Sequence, residues 1–578
     1  MSTSEKQALP TTATPLKPQA QPKRVKRSPL AQLIPLFALL YIAWTSAPTL
    51  LSHLPNSTSS ASSAALLDAA KCPAQPIPLN VGTDWDPLND EIYASLAAKR
   101  LSKSVQYPTE SYDNMPLNAS DPIFDKHFAF AGWLENEFSK IFNSPVKHEV
   151  INVHDHLFTW KGSNPDLKPI VLMAHTDTVP VLPATLDQWT FPPFEGKITE
   201  DATPETPGTW IWGRGSSDCK NSLLGIYGAV ERLVSEGFQP ERTIIISNGF
   251  DEEVGGPRGA VILARELEER YGPDSIALIV DEGFTGLSEE YGSLVASFGM
   301  AEKGSTNIDI KVETLGGHSS VPPPHTGIGI MSLLLAELEK NPFEPTLVPE
   351  GPYLKYLSCL SEYAPHTPKS LKSRVKNPKK WPSLAKELAG NDRKVNSFLA
   401  TSQAIDLISG GVKVNALPEF VQATVNYRIS FTSSVNETLE HVLNVLKPLV
   451  HSLNFTISAF DDSPRKSNSH ISLISANTYH LEPSPITPSD SKSFALMAGT
   501  AKHVFGEKTI VSPSGMFANT DTKNFWNLSK HIYRFTPALI TENLNQHTVN
   551  ERISLEGHLN TTRFFYKLLQ NSQGWETE

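Results

Sequence analysis

Three short runs of uninterrupted apolar residues each break off into acids or a histidine, and few folds accommodate that pattern. Pro169 to Ala174 reads PIVLMA and leads into His175-Thr176-Asp177. Thr243 to Ser247 reads TIIIS and leads into Asp251-Glu252-Glu253, and Ile276 to Val280 reads IALIV and runs into Asp281-Glu282-Gly283. Such runs, with no polar alternation, have the form of strands buried on both faces. Helical periodicity lies between them: Asn221 to Ser235 repeats apolar residues at Leu223, Leu224, Tyr227, Val230, Leu233 and Val234 with a stop at Gly237, and Gly259 to Arg270 is closed by Gly272. Strands alternating with helices predict an α/β fold with a mostly parallel sheet, whose ligand site gathers beyond the carboxyl ends of the strands. One polar residue ending a strand is ordinary; three such ends at one sheet edge point to a site.

The segment between the first two strands, Trp212-Gly213-Arg214-Gly215-Ser216-Ser217-Asp218-Cys219-Lys220, opens the helix at Asn221. Its glycines suit a tight turn, and Asp218 stands where an N-cap would stand. A phosphate loop is excluded by the missing Walker spacing and by an acid where phosphate would bind.

With these residues in place, the sequence resembles the dizinc metallopeptidase family that contains glutamate carboxypeptidases, aminoacylases and dipeptidases. The matching pieces are His175-Thr176-Asp177, Gly213 to Lys220, Glu252-Glu253-Val254-Gly255-Gly256, Asp281, Gly317-His318-Ser319 and His547, spread from about 85 to 570. Asn519-Thr520-Asp521-Thr522-Lys523 and Ile532 to Pro537 are most similar to the fungal vacuolar carboxypeptidase S branch. The resemblance implies a zinc-dependent exopeptidase-like catalytic domain interrupted by an α+β lid.

It also implies two Zn²⁺ ions. Asp218 would bridge them, His175 and Asp281 would complete one, and Glu253 and His547 the other. Imidazole and carboxylate suit catalytic zinc, although cobalt or manganese could substitute. Asp177 would orient His175, and Glu252 would act as general base; exchange of the Glu252 and Glu253 roles is the alternative. The family's cis peptide after the bridging aspartate would fall at Asp218-Cys219. His318 would stabilise the oxyanion, in some members from the other subunit of a homodimer formed through the lid. Asn415 and Arg428 match substrate positions, and Gly515 and Asn519 could line the same substrate-binding pocket. Arg428 is suited to a free C-terminal carboxylate. The expected reaction is removal of C-terminal residues from short peptides, with hydrolysis of N-acyl amino acids as the alternative and a catalytically dead binding protein as the minor one.

The lid pattern begins near Lys303, with a strand at Asn307 to Val312, a helix at Ile328 to Leu338 and further strands at Val421 to Ile429 and Phe455 to Phe460. Within it, Pro342 to Ser397 is Pro-rich and basic around Trp381 and is expected to be a solvated insertion. The expected division is catalytic domain 81–302 and 461–578, with lid 303–460 and insertion 342–397.

Charge is distributed unevenly. Of the 578 residues, 50 are Lys or Arg and 61 are Asp or Glu, a formal net charge of -11, which gives no electrostatic footprint for a nucleic-acid partner. Yet residues 1–28 are basic, and no charged side chain then appears before Asp68. In that gap Leu30 to Leu51 approaches the roughly 20 apolar residues needed to span a bilayer. We read 29–51 as an uncleaved transmembrane helix and 52–80 as a stalk, with a cleaved signal peptide as the alternative. The basic tail would stay cytosolic and the body would be lumenal, in a vacuole if the resemblance extends that far. Sequons at Asn56, Asn118, Asn436, Asn454, Asn527 and Asn560 all follow the apolar segment, as glycosylation of a lumenal body requires. The chain has three cysteines, which allow at most one bridge. Since the resemblance puts Cys219 in the zinc loop, a bridge, if any forms, would join Cys72 and Cys359; nothing in the sequence requires one.

Overall fold

The computed structural model describes residues 62–577, apart from 84, 203–206, 284–285, 462–467 and 476–479. The proposed membrane segment and Asn56 lie outside the described residues. Among those described, no helix is long and apolar enough to cross a membrane.

Strands occur in the order β1 Lys147–Ile151, β2 Asp155–Trp160, β3 Ile170–Met173, β4 Lys197–Ala202, β5 Pro207–Trp212, β6 Ile244–Asn248, β7 Leu278–Asp281, β8 Leu287–Glu290 and β9 Ser293–Glu302. They continue with β10 Gly304–Glu313, β11 Gly317–His318, β12 Ser402–Gly410, β13 Ala416–Leu417, β14 Phe420–Ile429, β15 Thr456–Ala459 and β16 His470–Ile474. The last four are β17 Ile510–Met516, β18 Ile532–Arg534, β19 Asn543–Leu544 and β20 Arg552–Ser554.

The largest sheet has the order β1-β2-β6-β3-β7-β18-β9-β17, with β8 alongside β9. It is mixed rather than mostly parallel. Only β6-β3-β7-β18 at the centre and β9-β17 at one edge pair in parallel; β1-β2, β2-β6, β18-β9 and β8-β9 are antiparallel. The parallel centre is the part with a helix on each side. Ile170, Leu172, Ile244 and Ile246 pack with Leu223, Tyr227 and Val230 of the helix Lys220–Ser235. Val171, Met173 and Ile245 point the other way, onto Leu263 and Leu267 of the helix Ala260–Tyr271. Burial on both faces is why these strands lack polar alternation.

The lid sheet, β12-β14-β10-β16-β15, is covered on one face by the helices Gly327–Lys340 and Val435–Ser452. Accordingly β10 alternates buried and half-buried residues. The sheet extends past residue 460, because β16 pairs with β10.

Two expected surface segments are parts of the body. Residues 342–397 form not a solvated insertion but the helices Pro352–Tyr363, Lys369–Val375 and Trp381–Asn391 and most of Arg393–Leu399. Trp381 is buried with its indole N–H donating to Val375, so it is closed to stacking on a base. Nor is 63–80 a free stalk. The helix Ser63–Ala69 and the residue after it add Leu66, Leu67 and Ala70 to the apolar cluster of those helices. The Gln75 amide pairs with both backbone groups of Val511 at 2.7 and 2.9 Å. Between these contacts a disulfide joins Cys72 to Cys359, while Cys219 is free and buried.

Candidate active site

The trio of Asp218, Glu253 and His547 is joined through Asp218 to His175, which also meets Glu282. Beyond the end of β3, His175 Nε2 lies 3.2 Å from Asp218 Oδ1 and 3.2 Å from Glu282 Oε1. The other oxygen of Asp218 lies 3.0 Å from His547 Nε2, which is 3.1 Å from Glu253 Oε2. Glu252 belongs to the same cluster, sharing a group with His175 and Glu253. Asp177 orders it from behind: its Oδ1 is 3.1 Å from His175 Nδ1, and its two oxygens accept the backbone N–H groups of Glu252 and Glu253 at 3.1 and 3.2 Å.

Asp218 is placed by a loop whose glycines hold left-handed backbone, Gly213 at φ 138° and Gly215 at φ 83°. Glu551, fully buried, gathers that loop. Its Oε1 accepts from the backbone N–H groups of Gly215, Ser217 and Asp218 at 3.0, 3.1 and 3.1 Å, and its other oxygen pairs with Arg214. The Asp218–Cys219 peptide is cis.

So many buried acids cannot all stay ionised without cations. Burial pushes the Glu252 carboxyl well above the ordinary range, and Asp521, Glu253 and Glu282 push the same way. Burial and the charge of Asp218 raise Glu282 to about 8. Burial works against a charged His547, but hydrogen bonds to Asp218 and Glu253 outweigh it and raise the ring to about 11. Two divalent cations between these groups would relieve every one of these conflicts. The donor set therefore fits a metal pair.

The other expected site residues are distributed unevenly. Asp281 is not among the groups brought together: its Oδ1 accepts from the backbone N–H of Glu282, and its buried Oδ2 has no hydrogen-bond partner among the described residues. The acid that reaches His175 from this strand is Glu282. Arg428 and Asn519 both line the cavity of about 690 Å³ at the cluster, with Arg428 Nη1 donating to Asn519 Oδ1 at 3.0 Å. His318 and Asn415 do not line it; both are exposed on the β11–β13 side of the lid, where Ser319 N–H donates to the Asn415 carbonyl at 3.2 Å. Gly515 is buried, and a Cβ there would collide with the Phe431 ring, so it serves packing rather than the cavity wall. Asn118, Asn436, Asn454 and Asn527 are exposed, but Asn560 is 7% exposed within the helix Leu555–Asn571, where a glycan has no room.

The sheet and the shared aspartate fit a hydrolase whose acids and histidines can hold metal. The model of Peptidase family M20/M25/M40 matches residues 171–571, and the chain belongs to that family. It is 39% identical over 503 residues to carboxypeptidase S of Saccharomyces cerevisiae, covering 84% of this chain and 85% of that one. It is 32% identical over 481 residues to the human N-fatty-acyl-amino acid synthase/hydrolase PM20D1, covering 82% and 87%. Human carnosine dipeptidase 1 shares the fold with a TM-score of 0.56 at 16% identity, over 84% of this chain and 97% of that one. The protein is a carboxypeptidase S-like metallopeptidase, a hydrolase.

Proposed function

We propose that the protein is a dizinc carboxypeptidase that hydrolyses the C-terminal peptide bond of short peptides. The observation that carries this is the division of the two Asp218 oxygens between His175 and His547, in a cavity that also holds Arg428. His175, Asp218 and Glu282 would hold one ion, and His547, Asp218 and Glu253 the other, with Asp281 behind Glu282. When bound, the ions supply Lewis-acid polarisation of the scissile carbonyl and acidify a water molecule.

The chain's own residues then have distinct tasks. Arg428, steadied by Asn519, pairs with the free carboxylate of the substrate and fixes which bond lies over the cluster. Glu252 takes the proton from the attacking water as the new C–O bond forms. It returns that proton to the departing amine nitrogen as the C–N bond breaks. Asp177 keeps His175 in one orientation throughout. Incubating the protein with a blocked dipeptide, with and without chelator, tests the reading; activity that survived both thorough metal removal and Glu252→Gln would overturn it.

The second reading, an N-acyl-amino-acid hydrolase, is favoured by similarity to the human N-fatty-acyl-amino acid synthase/hydrolase. A membrane-anchored lumenal body in the secretory pathway is supported by the apolar run Leu30 to Leu51, by four exposed sequons and by the disulfide. A homodimer through the lid is supported by the apolar side chains that the lid exposes, Leu407, Ile408, Val412 and Val414. It would bring His318 of one copy to the cavity of the other.

A further inference from the structure

A second cavity, of about 710 Å³, adjoins the metal cavity and shares Gly283, Phe517 and Gln546 with it. Two of these shared residues flank the cluster directly, since Gly283 follows Glu282 and Gln546 precedes His547. The helices Pro352–Tyr363, Trp381–Asn391 and Arg393–Leu399 build one wall, through Tyr353, Tyr356, Leu357, Leu360, Leu388 and Phe398. Phe398 stacks on Tyr353 with ring centres 5.5 Å apart and meets the edge of the shared Phe517 at 5.6 Å.

The wall is held from outside. The disulfide ties Cys359, between the lining residues Leu357 and Leu360, to Cys72. Lys303 Nζ donates to the carbonyls of Ser397 and Ala400, on either side of the end of the last helix. Asp392 and Lys394, among the charged residues at this cavity, are exposed and mark its solvent side. Arg428 and Asn519, by contrast, line the metal cavity and not the chamber.

We propose that this chamber is the subsite for the acyl side of the substrate, and that it selects a large apolar acyl group. The inference rests on the hydrolytic reading above and deepens it. A substrate gripped by its carboxylate at Arg428, with its amide over the cluster, projects its acyl portion through the opening at Gly283, Phe517 and Gln546. The volume is within the range of roughly 300–1,000 Å³ typical of small-molecule sites, and aromatic and aliphatic side chains supply most of the inner wall. A fatty acyl chain and a bulky apolar residue on the N-terminal side of the bond share this chemistry.

The test compares kcat/KM of the full-length, metal-loaded protein for acetyl-, hexanoyl- and dodecanoyl-leucine, and for blocked Gly-Leu against blocked Phe-Leu. Burial of methylenes predicts a rise of at least about 100-fold from acetyl to dodecanoyl if the source is a lipid acyl chain. A rise confined to the Phe-Leu arm would support the chamber with a peptide as its source, and flat values in both arms would overturn it. Leu388→Trp, which narrows the chamber, should cut the gain at least about tenfold while changing acetyl-leucine hydrolysis by less than about twofold; equal losses on short and long substrates would overturn the assignment. Val395→Trp repeats the test at a second lining position. Should no substrate be hydrolysed, the hydrolytic reading has failed, and calorimetric binding of dodecanoyl-leucine to the protein and to Leu388→Trp decides the chamber alone: unaltered or absent binding would overturn it.

Discussion

Arg534 donates from Nη2 to Glu302 Oε2 at 3.1 Å, and both side chains are sealed from solvent. Glu302 ends β9, whereas Arg534 ends β18. Thr522 accepts from the same guanidinium at 2.8 and 3.0 Å, and Thr520 donates to Glu302 from its backbone and its hydroxyl, both at 2.8 Å. The segment 516–524, which lines the metal cavity and carries Asn519, is thus tied to the sheet by buried charge. Arg534→Leu should cost about 3–5 kcal/mol in chemical denaturation by stranding Glu302. Arg534→Lys, which cannot reproduce the planar fork, should recover only part of that.

Glu551 acts on the cluster through backbone. Because its Oε1 collects the N–H groups of Gly215, Ser217 and Asp218, Glu551→Gln keeps an acceptor but loses the charge facing Arg214. Metal affinity should fall by about 10–100-fold, as supporting residues of metal sites typically show. Competition with a chromophoric chelator measures this without reference to turnover.

Glu282 and Asp281 can be told apart by counting metal. The acid 3.2 Å from His175 Nε2 is Glu282, so Glu282→Ala should lower the metal content from about two ions per chain toward one. Asp281→Asn should leave the ratio near two, by elemental analysis after exhaustive dialysis. The opposite result would return the ligand role to Asp281.

That pair of neighbours shows where sequence reading stops. Strands β3, β6 and β7 were legible because burial on two faces leaves an unbroken apolar run, and the acids beyond them follow from the α/β rule. Which of two adjacent acids turns into the site depends on how the chain leaves the strand, and periodicity carries no information on that. Glu551 lies over 300 residues from the loop it holds, so only the fold joins them. The helices of 342–399 were different: Leu354, Leu357 and Leu360 already stood at helical spacing, and the surrounding lysines and prolines masked the signal. Buried Trp381 confirms that composition misled there.

Stability should depend on pH through His558, whose ring is buried against Asn221 Oδ1 at 2.8 Å and pushed down to about 4 by burial. A folded-state value below the unfolded one means that the unfolded chain binds the extra proton first. The stabilisation is complete above pH 6.5 and is lost as pH falls to about 4, by up to the order of 3 kcal/mol. His127 and His156, lowered to about 3 by burial, add to the loss over the same range and carry it to more acid pH. His558→Gln should flatten the slope between pH 6.5 and 4 in thermal melts, and an unchanged slope would exclude the ring as its source.

The exposed position of His318 makes the lid dimer testable in one mixture. His318 Nδ1 is 2.7 Å from Ser320 Oγ, and the residue does not line the metal cavity of its own chain. If a second copy supplies it, a site needs Glu252 from one chain and His318 from the other. His318→Ala and Glu252→Gln would each be nearly inactive alone. Mixed and allowed to exchange in equal amounts, half of the dimers become heterodimers, and one of the two sites in each is complete. Activity should therefore return to about one quarter of the wild-type value, while light scattering reports a dimer. If His318 acted within its own chain, every heterodimer site would lack one of the two residues and the mixture would stay inactive.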